Sequence, residues 1–202
     1  GGQIANESGK GSPPDGSTLL MTPVATMSIY PHSYSGQLRY DPFKDFEPVA
    51  HLSDFQLSIG VSTKVPANTL AEYVALVKKD PKTYGFYASA APGSIPHFLG
   101  VMFGRAAAIE LTHVPYKGTA AVLQALAAGE IVPATTLSAD IGTLVKSGKA
   151  RLLAVAGAKR DPAFPGVPTF KESGYDMVGT GWYGLFAPAG TPAPVLEQVG
   201  RE

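Results

Sequence analysis

The sequence contains no cysteine, so disulfide bridges, thiolate metal sites and a cysteine nucleophile are all excluded. None of its four histidines pairs with another at the helical spacing of a zinc site. The strained Gly-x-Ser-x-Gly turn of many serine hydrolases does not occur, and neither a complete phosphate loop nor a dinucleotide glycine motif is present. We therefore expect no metal, no cofactor and no enzymatic activity.

An excess of charge of either sign is also missing. The 16 Lys and Arg residues balance the 16 Asp and Glu residues, which gives a formal net charge of +0. This balance removes the broad attraction on which nucleic-acid binders and polybasic membrane proteins rely. No apolar run approaches the roughly 20 residues of a membrane-spanning helix. We expect a protein that binds no nucleic acid and has no membrane-spanning helix in this sequence.

The chain starts without methionine or an apolar leader and stops inside a predicted helix that begins near Thr191. We interpret it as a fragment that lacks both ends, the signal peptide or true N-terminus included. Residues 1–18 are rich in Gly, Ser and Pro, and residues 30–48 predict a long irregular connection held to a core by its aromatic residues. Strands are predicted near residues 18–21, 49–61 and 181–187.

From residue 63 onward, predicted helices and strands alternate. A capping box, Thr69 to Glu72, starts the first helix, and further helices are predicted from Ser94, from Thr119 and around residues 140–147. The intervening strands are predicted at residues 83–88, 110–115, 131–135 and 151–156, with a last short helix at 169–173. This alternation predicts an α/β fold with a parallel sheet covered on both faces. Such sheets bind ligands beyond the carboxyl ends of their strands.

The turn between residues 84 and 97 is the most informative segment, because a buried strand runs through small residues directly into a helix start. Ser94 is a favoured N-cap, and Leu99, Met102, Phe103 and Ala106 have the spacing of a core-facing stripe. The first N–H groups of a helix lack internal partners and attract anions. We predict an anion site whose members are Ser89, Ala90, Ala91, Gly93, Ser94 and His97. The alternative is a plain tight connection with a locally packed histidine.

Two further turns have the same design of strand, short turn and helix start. We predict a ligand role for Tyr116, Lys117, Gly118, Thr119, Thr136, Ser138 and Asp140. A solvated Lys117 and simple helix capping by the hydroxyls are the alternatives. Trp182, the only tryptophan, lies among glycines and is predicted to line the ligand site near a hinge, although a plain buried strand fits as well.

Six segments together resemble the substrate-binding proteins of tripartite tricarboxylate transporters, the Bug or TctC family. They are Pro-Asp-Gly at 14–16, Tyr-Asp-Pro-Phe-Lys-Asp-Phe at 40–46, Ser-Ala-Ala-Pro-Gly-Ser at 89–94, His-Val-Pro-Tyr-Lys-Gly at 113–118, Gly-Lys-Ala-Arg-Leu-Leu-Ala-Val at 148–155 and Trp-Tyr-Gly-Leu-Phe-Ala-Pro at 182–188. The segments occur in the family's order and span nearly the whole chain. Ala91 and Pro92 replace the family's usual Gly-x and stiffen the turn, since proline has no N–H.

The resemblance implies a monomeric, periplasmic solute-binding protein of the periplasmic-binding-protein fold, with two α/β domains and a ligand cleft between them. Residues 1–60 plus 183–202 are then an incomplete first domain, and residues 61–182 are the second. In the family, a carboxylate is held largely by backbone N–H groups of two loops, one from each domain. The second-domain loop corresponds to residues 89–97, and the first-domain loop lies upstream of Gly1. The solute is then passed to membrane permease subunits.

Two other functions are left open by the residues. One is an enzyme that acts on small anions at the same cleft, which a turnover assay separates from a binding protein whose Trp182 fluorescence changes with ligand. The other is a ligand sensor for a signalling receptor. Within the binding hypothesis, a di- or tricarboxylate, an aromatic acid and an amino acid are the expected solutes, and an uncharged solute is left open.

Overall fold

The computed structural model describes residues 2–201. Its helices are α1 (Gln3–Lys10), α2 (Tyr30–Ser33), α3 (Leu70–Lys79), α4 (Pro81–Tyr84), α5 (Ile95–Ala106), α6 (Thr119–Ala128), α7 (Ser138–Lys146) and α8 (Ala193–Arg201), with a π-helical segment at Ala25–Ile29. Its strands are β1 (Leu20–Pro23), β2 (Phe46–Ser62), β3 (Phe86–Ser89), β4 (Thr112–Pro115), β5 (Pro133–Leu137), β6 (Ala150–Val155) and β7 (Thr180–Pro188). None of the helices in this described range has the length and apolar character needed to cross a membrane.

The chain divides into two compact units. Unit 1 consists of Gly1–Phe55 and Gly181–Glu202, and unit 2 consists of Gln56–Thr180. The boundaries expected from the sequence lie a few residues further along the chain at both junctions. The first-domain loop expected upstream of Gly1 lies outside the described residues.

Unit 1 contains a helix that the sequence analysis did not predict. Residues 1–18 were noted only for their Gly, Ser and Pro content, and α1 forms there because tertiary contacts hold a polar sequence in place. Asn6 is fully buried, and its side chain accepts a hydrogen bond from Thr22 Oγ1 (3.0 Å) and donates to Met27 Sδ (3.6 Å). Gly9 lets the helix approach Leu20 closely. Such contacts override weak helix propensity.

The segment from residue 30 to residue 48 is also more ordered than expected. It begins with α2, which directly follows the π-helical segment. Tyr40 and Phe46 are buried, and the Tyr40 hydroxyl donates to the Thr26 carbonyl (2.7 Å). Phe43 does not contribute to the core, because 86% of its surface is exposed. The aromatic anchoring that we expected is therefore provided by some of these residues and not by others.

Unit 2 confirms the α/β class but corrects the arrangement of the sheet. Strands β5, β3 and β4 are parallel neighbours, as predicted. However, β2 pairs antiparallel with both β5 and β6, and Ser58 lies opposite Thr136 on one side and Val155 on the other. The strands of the alternating series run in one direction, as predicted, because β5 and β6 are both antiparallel to β2; the antiparallel insertion of β2 itself was not predicted. Helical periodicity does not reveal that β2, which precedes the alternating series, inserts between two of its strands.

Helix α5 buries only part of the face that was predicted. Leu99 and Phe103 lie in the core, but Met102 is 43% exposed and Ala106 is exposed as well. The buried face includes Gly100, whose missing side chain leaves room for the Tyr87 ring; a Cβ there would lie only 2.1 Å from it. Glycines allow the closest approach of a helix to its neighbours, so they define the packed face although they carry no apolar signal.

Several boundaries differ from the sequence-based ones. The capping box of α3 is confirmed, since Thr69 Oγ1 accepts the Glu72 N–H at 3.1 Å. Gly118, not Thr119, is the N-cap of α6. The helix predicted at residues 169–173 is a turn, closed by a reciprocal pair of bonds between Thr169 and Glu172. Helix α4 extends to Tyr84, so β3 begins at Phe86 and not at residue 83 as predicted.

Candidate functional site

Three helices of unit 2 begin at the same edge of its sheet. Strands β3, β4 and β5 run parallel, and each leads through a short turn, or directly, into α5, α6 and α7 respectively. Because parallel strands end at one edge, the N-termini of these helices share that edge. The positive ends of their dipoles are consequently gathered there. This is the region in which the sequence analysis placed the anion site.

The turn before α5 is held by its own polar atoms. Ser89 is fully buried, and its carbonyl accepts the Tyr116 N–H at 3.0 Å. Ser94 is the N-cap residue by position, but its hydroxyl donates to the Ala91 carbonyl (2.6 Å) and does not cap the helix. Gly93 adopts a φ of 72°, which favours glycine. The turn therefore keeps a defined shape without a side-chain cap.

The backbone N–H groups around this turn fall into two sets. Those of Gly93 and Gly118 are occupied, by His97 Nδ1 at 3.1 Å and by the Ala90 carbonyl at 3.4 Å. Within the described residues, no hydrogen bond uses the N–H groups of Ala91 or Ile95. Free donors at the first helical turn are what an anion requires. The donors available to a ligand are thus fewer than the sequence analysis expected.

The α6 start contributes less than the α5 turn. Tyr116 is half-buried against the core that contains Val122, and Lys117 is exposed. Gly118 has a φ of 96° and directs its N–H to Ala90. Thr119 is the first helical residue, so its N–H has no partner within the helix. The two turns are joined by backbone hydrogen bonds and form one continuous surface.

Carboxylates of the chain already occupy the α7 start. The Thr136 hydroxyl donates to Asp140 Oδ2 at 2.9 Å. The Ser138 hydroxyl donates to Asp161 Oδ2 and lies 3.4 Å from the Gln56 carbonyl oxygen. Two negative charges at this helix end disfavour a third. The ligand role predicted for these residues stays a prediction, and an anion is better accommodated at α5 and α6.

Trp182 belongs to unit 1, and it lies on β7. It is partly buried against a cluster that contains Leu20, and its ring centroid is 6.3 Å from that of Phe186. This packing fits the plain buried strand that the sequence analysis kept as an alternative. Its ligand role stays a prediction.

His113 is a residue of this region to which the sequence analysis gave no role. It lies beside Tyr87 in the parallel register of β3 and β4, its Nε2 is 2.8 Å from Ser89 Oγ, and its ring centroid is 4.3 Å from that of His97. Burial, together with the neighbouring His97, lowers the pKa of His113 to about 4, and burial also lowers the pKa of His97. The parallel pairing of the two predicted strands was the signal that could have revealed this contact.

These pKa shifts predict a loss of stability on acidification. Unfolded His113 binds its proton near its ordinary pKa of 6.5, while the folded state resists protonation until about pH 4. The unfolded state therefore binds more protons in this window, and the free energy of unfolding falls as the pH drops from 6.5 to 4. His113→Gln should flatten that slope in urea unfolding measured across this pH range. Equal slopes in the two proteins would contradict the assignment.

The fold and the site geometry together define a class: an open-sheet α/β unit with helix N-termini gathered at the edge where such sheets generally bind ligands. The model of the tripartite tricarboxylate transporter family receptor matches residues 1–201. The chain belongs to this family. A UPF0065 protein of Cupriavidus necator is 32% identical over 98% of the chain, and one of Agrobacterium vitis is 31% identical over 98%. The chain spans only 59% and 57% of these relatives' lengths.

Solved structures agree with this membership. MatC of Rhodopseudomonas palustris, with bound malate, is 30% identical with a TM-score of 0.84, over 98% of this chain and 67% of that one. R. palustris Rpa4515 with adipate is 28% identical with a TM-score of 0.89, and the match covers 98% of this chain and 66% of that one. The periplasmic binding protein BugD is 30% identical with a TM-score of 0.86, over 98% and 66%. The expected family and the periplasmic-binding-protein fold class are thereby confirmed.

Proposed function

We propose that this protein is a non-catalytic periplasmic solute-binding protein that captures a small carboxylate at the α5 turn of unit 2. The observation that carries the proposal is the unused backbone N–H of Ile95 and of Ala91 at the positive end of α5. With a net charge of +0, the chain attracts an anion by such local geometry and not by its overall field.

The relatives support the carboxylate class. The structural neighbours MatC and Rpa4515 hold malate and adipate, which both carry carboxylates. Transfer of the solute to the permease subunits of a tripartite tricarboxylate transporter belongs to the same proposal, and it follows from the family. Capture in a cleft between two domains, and a monomeric state, stay predictions.

A thermal-shift screen of carboxylic acids tests this function. An acid present at one hundred times its dissociation constant adds about 2.7 kcal/mol of stability, which corresponds to a rise in Tm of about 5 to 10 °C for a chain of this size. We expect a positive shift from at least one di- or tricarboxylate, aromatic acid or amino acid. The matched control is the amide of each acid, which keeps the shape and loses the charge.

Two outcomes would contradict the proposal. Shifts from neutral amides with none from the acids would remove the anion site. Chromatography over several hours would reveal whether a bound acid is converted into a product. Such conversion would mean that the protein is an enzyme, which is the alternative function. A change in Trp182 fluorescence on binding, with the solute recovered intact, is the result that we expect.

A further inference from the structure

The α5 turn depends on an imidazole as a hydrogen-bond acceptor. The Gly93 nitrogen lies 3.1 Å from His97 Nδ1. A backbone N–H donates only to an atom with a free lone pair, so Nδ1 carries no proton and Nε2 carries the ring proton. The same turn is closed from its other side, where the Ala91 carbonyl accepts both the N–H and the hydroxyl of Ser94. Two acceptors therefore hold the turn in shape: the side-chain atom His97 Nδ1 and the backbone carbonyl of Ala91.

The His97 ring is fixed by its neighbours. It stacks on Tyr87 with an interplanar angle of 9° and a centroid distance of 6.4 Å. Its centroid lies 5.3 Å from that of Phe98 and 4.3 Å from that of His113. The Tyr87 hydroxyl donates to the His97 carbonyl at 2.9 Å. Because strands and helix together hold the ring, Nδ1 is already aimed at Gly93 before any solute binds.

Within residues 2–201, the recorded partners of the His97 ring include no counter-charge. The titratable groups packed against its ring are Tyr87 from β3 and His113 from β4. No carboxylate of the described residues forms an ion pair with it. A protonated His97 would therefore face Gly93 with a second donor, and two donors cannot share a hydrogen bond.

We propose that His97 is a positioning residue: its neutral ring locks the Gly93 backbone, keeps the turn in the shape that leaves the Ile95 N–H free, and releases the turn when it is protonated. Burial lowers the pKa of His97, so the lock is closed at neutral pH and opens on acidification. The effect of this lock on solute affinity rests on the function proposed above. The hydrogen bond between Gly93 and His97 is independent of that function.

Amide hydrogen exchange at Gly93, followed by NMR, tests the lock without any solute. His97→Asn presents an amide oxygen that can accept the Gly93 N–H, and His97→Leu has nearly the same size but no acceptor. At pH 7.5 we expect similar protection factors in the wild type and H97N, and a protection factor about tenfold lower in H97L, as loss of one hydrogen bond implies. Long-range ¹⁵N spectra should show the His97 proton on Nε2.

The pH profile separates positioning from simple packing. Acidification through the titration of His97, followed by the ¹⁵N shifts of its own ring, should lower the Gly93 protection factor of the wild type but not that of H97N, because asparagine does not titrate. Since this comparison includes the unaltered chain, it is valid even where H97L folds poorly. Equal protection in all three proteins at pH 7.5 and again once the His97 ring is protonated, or a His97 proton on Nδ1 at pH 7.5, would overturn the proposal.

Malate and adipate serve as probes for the link to binding. If either acid binds the wild type, H97L should weaken it about tenfold and H97N by less than threefold, measured by calorimetry at pH 7.5. Equal affinities in the three proteins would overturn the link between the lock and the site. If neither acid binds, that result counts against the proposed function for these two solutes and not against the lock. Amide exchange at Gly93 then tests the lock by itself.

Discussion

Replacement of Phe103 by alanine is expected to lower the free energy of unfolding by about 3–5 kcal/mol. Phe103 has no exposed surface, and its ring lies 5.3 to 6.3 Å from those of Tyr73, Phe170 and Tyr175. Truncation would remove these contacts and leave a cavity that the surrounding rings cannot fill. A loss of this size is a large share of the roughly 5–15 kcal/mol that stabilises a typical domain.

Met102→Ala is the matched control on the same helix. Because Met102 is 43% exposed, its truncation should cost less than about 1 kcal/mol. Urea unfolding of both variants measures the difference. Equal losses would mean that α5 buries the face predicted from its apolar spacing and not the glycine-bearing face of the structure.

Replacement of Ser94 by aspartate is expected to weaken carboxylate binding at least about 100-fold, or about 2.7 kcal/mol. Ser94 occupies the N-cap of α5, so an aspartate there places a fixed negative charge where the solute carboxylate is proposed to lie. Two like charges about 4 Å apart repel by about 4 kcal/mol at the effective dielectric constant of a protein surface. Aspartate is also a good N-cap, but it cannot donate the hydrogen bond that the Ser94 hydroxyl gives to the Ala91 carbonyl, so amide exchange at Gly93 must show that the turn is kept in this variant.

Ser94→Asn is the control for this experiment. Asparagine has nearly the same shape as aspartate and caps helices equally well, but it carries no charge. We expect S94N to bind a carboxylate found in the thermal-shift screen within about tenfold of the wild type. Similar affinities for S94D and S94N would show that no anion is held at this helix start. Calorimetry at pH 7.5 distinguishes the two results.

Local signals predicted much of unit 2. The capping box at Thr69 is a short-range feature, and the structure contains it. The exposed face of α5 and the antiparallel insertion of β2 depend on distant contacts, so periodicity could not reveal them. In unit 1, helix α1 depends on the buried amide of Asn6, which no local pattern marks.

The candidate site was predicted as a region and not in its details. The sequence indicated that small residues join strand ends to helix starts, and the structure brings those of α5 and α6 together through backbone bonds between Ala90 and Gly118. The sequence did not indicate which donors are already occupied. The contact of Asp161 with Ser138 joins residues that are distant in the sequence. The contact of His97 with Gly93 depends on the rotamer of the histidine, so neither contact can be read from the sequence.

A structure of the protein with a bound carboxylic acid from the screen would locate the proposed anion site. We expect a carboxylate oxygen at hydrogen-bond distance, about 2.7–3.2 Å, from the Ile95 nitrogen, with Gly93 still bonded to His97. A carboxylate bound by side-chain cations elsewhere, with the first turn of α5 empty, would contradict it.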